Sequence, residues 1–203
     1  MSILTLTVSR FGRNLGSISA GRAQREATMH PLIAFYSGTG TDHRGRTLSG
    51  ILSFSNAELE TCHDYIQWLF PLLEPSPFNP EAPVLTDELI RAFKSSSALQ
   101  AELHRVLLRM TQFFGVALRE TPQGFELLLP QDIEHCHWMT ADNHNHRRLS
   151  RMMASLKLLG LETHVAALWQ GLQQLAVQHP EAFSASTITH WRLAASGDGC
   201  GGI

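Results

Sequence analysis

Residues 149–175 read LSRMMASLKLLGLETHVAALWQGLQQL, and the spacing of their apolar side chains decides the fold class. In two runs, apolar residues return every three or four positions, which is the period of one buried face of an α-helix. Gly160 lies between the runs, where a glycine commonly ends a helix. The stretch therefore predicts two helices joined by a tight turn into an antiparallel hairpin. The two apolar faces consist of Leu149, Met152, Met153, Leu156 and Leu159, followed by Val165, Leu168, Trp169, Leu172 and Leu175.

The same period predicts a third helix upstream, between candidate N-caps at Ser95 to Ser97 and a stop at Gly115. The segment FELLLP, residues 125–130, is the one plausible strand. The predicted fold is therefore mainly α: a single compact, helical-bundle-like domain with at most a minor β element. The apolar face of the third helix consists of Leu99, Leu103, Val106, Leu107, Met110, Phe113 and Phe114.

Five of the nine prolines fall in PLLEPSPFNPEAP, residues 71–83. Proline lacks a backbone donor and disfavours helix at the residue before it, so this proline-rich loop is predicted to be extended. A linker between domains is usually more polar than this segment. We therefore expect the loop to pack on the body of the domain through Leu72, Leu73, Phe78 and Val84.

The composition is ordinary for a soluble globular protein and argues against several classes of function. A chain of 203 residues with a formal charge of −2 fits one domain, and it lacks the strong positive charge of a nucleic-acid binder. No apolar run is long enough to cross a bilayer. The cysteines Cys62, Cys136 and Cys200 have neither metal nor disulfide spacing, which fits a reducing compartment. We expect a cytoplasmic protein with no cofactor, no transmembrane segment and no specific nucleic-acid partner.

The two ends of the chain differ from the rest in composition. Residues 1–28 carry four arginines and several serines, with no acid before Glu26, and so resemble an organellar transit peptide. The alternative, which we favour, is a disordered leader or a mis-started N-terminus with Met29 as the real beginning. The domain is then predicted at 29–195, followed by a flexible glycine-rich tail at 196–203 in which Cys200 does not form a prenylation box.

The first candidate site lies in HDYIQWLFP, residues 63–71, which predicts a short helix from residue 63 to residue 70. On such a helix His63, Asp64 and Gln67 occupy one polar arc of about 100°, with Trp68 at its edge. The arc is either the solvated face of an amphipathic helix or one wall of a polar site. A site needs a second polar group that faces the arc.

The second candidate is TADNHNHRRLSR, residues 140–151. Either Asp142 or Asn143 is a natural N-cap, and His144, Arg148 and Arg151 then fall within about 60° of one another. Two arginines near a helix start can bind a carboxylate or a phosphate. The alternative is that both arginines are solvated or paired with local acids.

Four histidines near this segment are of the residue type that binds metals. His135, His137, His144 and His146 surround Cys136, but positions two apart on a helix point about 200° from each other. His144 and His146 could not both bind one metal from the same helix. We therefore expect no metal, and these four histidines are the candidates if one binds.

Several strings of the sequence resemble the domain of the opioid growth factor receptor family, in the same order and at similar spacing. The resemblance covers about residues 31–178 and includes a long, specific string, HDYIQWLFP. It implies a receptor-family domain of the short, domain-only form found in bacteria; the animal member is described as an enkephalin receptor. The strings are FY (35–36), D42 with GRTLSGIL (45–52), HDYIQWLFP (63–71), S-FNP-AP-L (76–85), RMTQFFGV (109–116), and NHN (143–145) with LSRMMASLKLLGLE (149–162).

The resemblance implies that polar side chains within these strings have a role beyond a solvated face. We hypothesise that the 63–70 helix, the proline-rich loop and the start of the 143–159 helix converge on one polar pocket. Asn79 either lines that pocket or anchors its own loop. His146 and Arg147 lie where the family often has other residues, so they are weaker candidates. The predicted ligand-binding residues are His63, Asp64, Gln67, Asn79, Arg46, His144, Asn145, Arg148 and Arg151.

Three functions remain open at the level of sequence. The first is a binding module for a peptide or a small anionic ligand, which we favour because no catalytic motif is recognisable. The second is an enzyme of unknown reaction that uses His63, Asp64 and His144, with or without a metal. The third is a protein interaction module that exposes apolar residues near Trp68 and Phe70.

Overall fold

Helices in this computed structural model begin at hydroxyl side chains that cap their first backbone amides. Thr86, Ser96 and Ser184 each accept a hydrogen bond from the amide three residues further on. Ser55 does the same, and its own backbone amide donates to the Glu58 carboxylate, which completes a capping box. Local sequence therefore sets where these helices start.

The structure describes residues 29–130 and 136–197. Contacts divide the chain into two units, Met1–His30 and Pro31–Ile203, and of the first unit only residues 29 and 30 are described. The leader predicted at 1–28, most of the predicted tail, and His135 lie outside the described residues. Within those residues, no helix combines the length and the apolar character needed to cross a membrane.

The described residues are mainly helical, as the sequence predicts, with one small antiparallel sheet. In chain order the elements are α1 (Pro31–Tyr36), α2 (Leu48–Leu52), α3 (Asn56–Thr61), α4 (Ile66–Leu69), α5 (Asp87–Ser95), α6 (Ser97–Phe113), β1 (Ala117–Thr121), β2 (Gly124–Leu128), α7 (Asn145–Leu158), α8 (Glu162–Gln178) and α9 (Ala185–Ser196).

The three helices predicted from apolar periodicity are confirmed as α6, α7 and α8. Gly115 and Gly160 end α6 and α7 with positive φ angles of 70° and 101°, in the left-handed region that favours glycine. Helix α9, which the sequence analysis did not predict, packs on both α7 and α8. Its Trp191 is completely buried, and the indole Nε1 donates to His146 O of α7 at 2.9 Å.

The predicted strand is β2, and it pairs with β1, which the sequence analysis missed. The hairpin runs from Ala117 opposite Leu128 to Thr121 opposite Gly124. It docks on α8 at Gly171, where an added Cβ would lie only 2.5 Å from the Leu127 side chain. A glycine is therefore needed at this close approach of helix and sheet.

The helix predicted from residue 63 to residue 70 is wrong, because α4 spans only Ile66–Leu69. In a longer helix, the carbonyls of Cys62 and Asp64 would accept from amides four residues further on. Instead, Cys62 O accepts from Arg148 Nη2 at 2.9 Å, and Asp64 O accepts from Asn79 Nδ2 at 2.7 Å. His63 and Asp64 therefore precede the helix and do not share an arc with Gln67.

The proline-rich loop is packed on the domain at only some of the predicted positions. Leu72 is 3% exposed, and its carbonyl accepts from the Leu85 amide at 2.8 Å, which ties the two ends of the loop together. The expectation that Leu73 and Phe78 would also pack was wrong, since they are 41% and 72% exposed. The middle of the loop therefore presents apolar surface to solvent.

A pair of histidines lies beneath the β-hairpin. The His164 ring of α8 stacks on Phe125 with centroids 3.8 Å apart and meets the His104 ring of α6 edge-on at 5.1 Å. His164 Nε2 and His104 Nε2 are buried and have no hydrogen-bond partner among the described residues. Burial, together with repulsion from His104, lowers the pKa of His164 to about 4.

Because the pKa of His164 is lowered in the folded protein, we expect mild acid to reduce the free energy of unfolding. Unfolded His164 takes up a proton near its usual pKa of 6.5, whereas the folded protein resists protonation until about pH 4. The unfolded state thus binds more protons between these values, so the free energy of unfolding should fall by roughly 2 kcal/mol from pH 7 to pH 5. Urea denaturation at both pH values should show that His164→Gln removes most of this fall. His190→Gln, which alters an exposed histidine, should keep it, and an equal fall in His164→Gln would contradict the assignment.

Candidate functional site

A cleft of about 420 Å³ lies between the proline-rich loop, the start of α7 and the start of α9. We call it the loop–helix cleft. Two of the three segments predicted to converge on a pocket form its walls, and α9 takes the place of the 63–70 segment. Residues that represent the three walls are Leu72 and Phe78 of the loop, Arg147 and Arg151 of α7, and Ser186 and His190 of α9.

Arg151 is a buried cation that lines the loop–helix cleft and forms no ion pair within the described part of the chain. The residue is 7% exposed, and its guanidinium forms no ion pair or hydrogen bond with any described residue. Burial lowers the pKa of Arg151 to about 10, so the side chain remains charged at neutral pH. A buried charge without a partner is costly, and proteins rarely contain one unless something else satisfies it.

Other polar groups surround Arg151 in the cleft. Arg147 lies four residues earlier on α7 and is exposed, and Ser186 and Thr187 bring hydroxyl groups from the first turn of α9. Two exposed acids, Glu74 and Asp142, also lie in the lining. The cleft is therefore polar on its helical walls, with mixed charge at its solvent-exposed edge.

His146 forms part of the cleft wall, but its ring is held by the protein. Its Nε2 lies 2.9 Å from Trp138 O, and the rings of Phe183 and Trp191 pack around it with centroids 5.3 and 5.4 Å away. Burial lowers the pKa of His146 and outweighs the hydrogen bond to Trp138. His146 therefore contributes mainly shape to the cleft.

Arg148 lies three residues before Arg151 on α7, yet its surroundings are the opposite. Its guanidinium Nη1 donates to Leu59 O at 2.8 Å, and Nη2 donates to Glu60 O at 3.3 Å and to Cys62 O at 2.9 Å. These carbonyls lie at the C-terminal end of α3, where helix carbonyls lack backbone partners and a cation is favourable. Arg148 thus caps α3, and its donors are not directed at a ligand.

Three further predicted residues gather around this cap. Glu60 accepts from Asn145 Nδ2 at 3.0 Å and lies 3.1 Å from His144 Nε2, so its carboxylate joins α3 to the start of α7. The rings of His63 and His144 meet edge-on with centroids 5.4 Å apart. His63 Nδ1 accepts from Arg148 Nη2 at 2.9 Å, and since arginine can only donate, the ring proton lies on Nε2.

Asp64 and Arg46 belong to a separate polar cluster. Asp64 Oδ1 lies 2.8 Å from Arg46 Nη2, and its Oδ2 lies 3.1 Å from Arg44 Nε. Burial favours a raised pKa for Asp64, but the Cys62 and Arg46 hydrogen bonds and the two arginine charges lower it. Arg46 Nε also donates to the buried Asp42 at 2.6 Å. Asp64 therefore stabilises the 42–46 loop and does not join His63 and His144.

Gln67 and Asn79 lie away from the cleft lining. Gln67 is buried in α4 and its Oε1 has no hydrogen-bond partner among the described residues. Asn79 Nδ2 donates to Asp64 O at 2.7 Å, which makes Asn79 the internal anchor of the proline-rich loop. Of the nine predicted ligand-binding residues, Arg151 is the one that lines the loop–helix cleft.

Two other candidate sites from the sequence, the histidine metal site and the apolar interaction surface, are not found among the described residues. Across residues 29–130 and 136–197, no three histidine, cysteine or acidic side chains are placed to hold a metal ion. The exposed surface predicted near Trp68 and Phe70 is wrong, because both residues are buried in the core. The residues that the sequence analysis missed are those of α9, although Ser184 before a helical segment is a recognisable N-cap signal.

Comparison with known proteins identifies the part of the chain that carries these features. Residues 48–192 match the family model described as the opioid growth factor receptor (OGFr) conserved region. Opioid growth factor receptor of Mus musculus is 38% identical over 122 residues, which cover 60% of this chain and 19% of the relative. The human protein of that name is 37% identical over 113 residues, which cover 54% of this chain and 16% of the relative.

A second group of relatives carries a different name. Opioid growth factor receptor-like protein 1 of Xenopus tropicalis is 31% identical over 138 residues, covering 68% of this chain and 25% of the relative. The match thus spans a quarter or less of the length of these three relatives. No solved structure matches the chain.

The contrast between Arg148 and Arg151 predicts opposite effects on stability. Arg148→Met removes a donor from three carbonyls at the end of α3, of which Leu59 O keeps the Tyr65 hydroxyl as a second donor, so the free energy of unfolding should fall by roughly 3 kcal/mol. Arg151→Met removes a buried charge that no described residue pairs with, so stability should be unchanged or rise by about 1–3 kcal/mol. Urea denaturation of the two variants measures both values. An Arg151→Met variant as destabilised as Arg148→Met would show that Arg151 is also a structural residue.

Proposed function

The chain belongs to the opioid growth factor receptor family, and we propose that its domain is a binding module for a peptide or a small anionic ligand. The observation that carries the proposal is Arg151, a buried arginine that lines the loop–helix cleft and pairs with no acid among the residues that the structure describes. An anionic group of the ligand would supply that charge and make charge-assisted hydrogen bonds to the guanidinium.

The exposed apolar part of the proline-rich loop supports a ligand with more than a charged group. Phe78 is 72% exposed and lines the cleft together with Pro75 and Pro77. Binding sites commonly combine apolar walls with a few polar groups that fix orientation. An apolar part of the ligand would pack on this wall while its anionic group reaches Arg151.

The names of the relatives agree with a binding function. The curated relatives from Mus musculus and Homo sapiens are named receptors, and the matched part of each is the domain described here. Because that match is a minor part of each relative, the name supports binding in general and not a particular ligand.

The positions of the candidate catalytic residues favour binding over catalysis. Asp64 is engaged by Arg44 and Arg46, and His63 is engaged by Arg148, so the predicted acid–base group is divided between two structural clusters. The loop–helix cleft contains neither of these two residues. The cleft is thus better suited to hold a ligand than to react with one through those groups.

The proposal predicts that anions bind in a manner that depends on Arg151. In calorimetric titrations of the untagged chain, at least one of benzoate, benzenesulfonate and phenyl phosphate should bind saturably with one site. Loss of the buried guanidinium in Arg151→Met should weaken that binding by about tenfold to a hundredfold. Native mass spectrometry of gently purified protein would show whether a natural ligand is retained.

Arg192→Met is the matched control for that experiment. Arg192 lies on α9, is exposed and does not line the cleft, so its removal changes the net charge equally but should leave affinity within about twofold. If none of the three anions binds, or if Arg151→Met binds them as tightly as the native protein, the proposed function is wrong.

A further inference from the structure

Two guanidinium groups approach the loop–helix cleft from one face of α7. Arg147 and Arg151 are four positions apart, so their side chains leave neighbouring points on the helix surface. One guanidinium is sufficient to form the paired hydrogen bonds that a planar carboxylate accepts. The second cation is therefore more than a single carboxylate needs, and it suits a ligand with a second negative charge.

The opposite wall adds donors from another direction. Ser186 and Thr187 lie in the first turn of α9, a helix of 12 residues whose N-terminal end carries partial positive charge. The amide and hydroxyl of Thr187 are bonded to Ser184, whereas the Ser186 hydroxyl has only a long contact of 3.5 Å with His190 Nδ1 and can donate to a ligand. A carboxylate presents its two oxygens in one plane, whereas a tetrahedral oxyanion presents them in several directions. Donors on two facing walls therefore match a tetrahedral group better than a planar one.

The acids in the lining do not cancel this preference. Glu74 and Asp142 are both exposed, as is Arg147, so solvent and salt screen the charges of all three. Arg151 is buried, and its charge acts in a medium of lower dielectric constant. The electrostatic attraction for an anion is thus strongest in the buried part of the cleft, beside α7.

The third wall indicates what accompanies the anionic group. Leu72, Pro77 and Phe78 give the loop side an apolar character, and the volume of about 420 Å³ suits a small molecule. We propose that the ligand is a small phosphomonoester that carries an apolar group. This inference rests on the proposed function and names the chemical class of its ligand.

Four probes separate charge, shape and apolar contact in calorimetric titrations of the full chain. Phenyl phosphate is a tetrahedral ester that carries between one and a half and two negative charges near pH 7. Benzenesulfonate is tetrahedral with one charge, benzoate is planar with one charge, and inorganic phosphate lacks the apolar group. Phenyl phosphate should bind at least about tenfold more tightly than each of the other three, because each lacks at least one favourable feature.

Arg147→Gln tests the requirement for a second cation. The substitution should weaken the binding of phenyl phosphate by about fivefold to tenfold. It should leave the affinity for benzoate within about twofold, because Arg151 alone is sufficient to bind benzoate. Arg192→Gln, which removes an exposed cation outside the cleft, should leave all four affinities unchanged.

The outcomes distinguish this inference from the proposed function on which it rests. If benzoate binds as tightly as phenyl phosphate and its binding still depends on Arg151, the assignment of a phosphomonoester is wrong, but the proposal that the cleft binds an anion is supported. If inorganic phosphate binds as tightly as phenyl phosphate, the inference that the ligand carries an apolar group is wrong. If no probe binds in an Arg151-dependent manner, both the inference and the proposed function are wrong.

Discussion

The guanidinium of Arg148 is the interaction on which the polar half of the structure depends. By binding the carbonyls of Leu59, Glu60 and Cys62, it joins α7 to the end of α3 and keeps Cys62 extended, with φ −88° and ψ 129°. The chain that leaves this point presents Asp64 O to Asn79, which anchors the proline-rich loop. One buried cation thus orients the start of α7 and, through residues 62–64, the loop that faces it across the cleft.

The arginines of α7 show that position on a helix does not determine the role of a charge. Arg148 and Arg151 are three residues apart and both are buried. The guanidinium of Arg148 donates to backbone carbonyls, whereas that of Arg151 forms no hydrogen bond with a described residue. A stabilising role explains Arg148 fully. A buried charge like that of Arg151, with no partner among the described residues, is expected to cost stability, and such costs concentrate where a protein binds or reacts with something else.

The sequence predicts the fold where local signals decide it and fails where distant residues intervene. Helices α6, α7 and α8 follow from apolar period, with a serine cap at the start of α6 and glycine stops after α6 and α7, all of which act within a few residues. The segment 63–70 has a helical pattern, but the side chains of Arg148 and Asn79 bind the carbonyls of Cys62, just before the segment, and of Asp64, within it. Strand β1 was missed because the hairpin is positioned by its contact with Gly171 on α8, which no local pattern records.

The same distinction applies to the candidate site. Helical periodicity places Arg148 and Arg151 on one flank of α7 and cannot tell a capping arginine from an unpaired one. The difference arises from carbonyls of residues 59–62, which are 86 to 89 positions away in the chain. His63, Asp64 and Arg46 were grouped with them by sequence. His63 does stay with Arg148 through a hydrogen bond, whereas ion pairs hold Asp64 with Arg44 and Arg46 in a separate structural cluster.

The location of the cleft within the matched region bears on where its function resides. All three walls, from Leu72 to His190, fall inside residues 48–192, the part of the chain that the family model covers. The cap at Arg148 and the loop anchor at Asn79 fall inside it as well. The residues that shape the cleft and those that hold it in place are therefore parts of one domain. A ligand bound there would contact residues of this domain from all three walls.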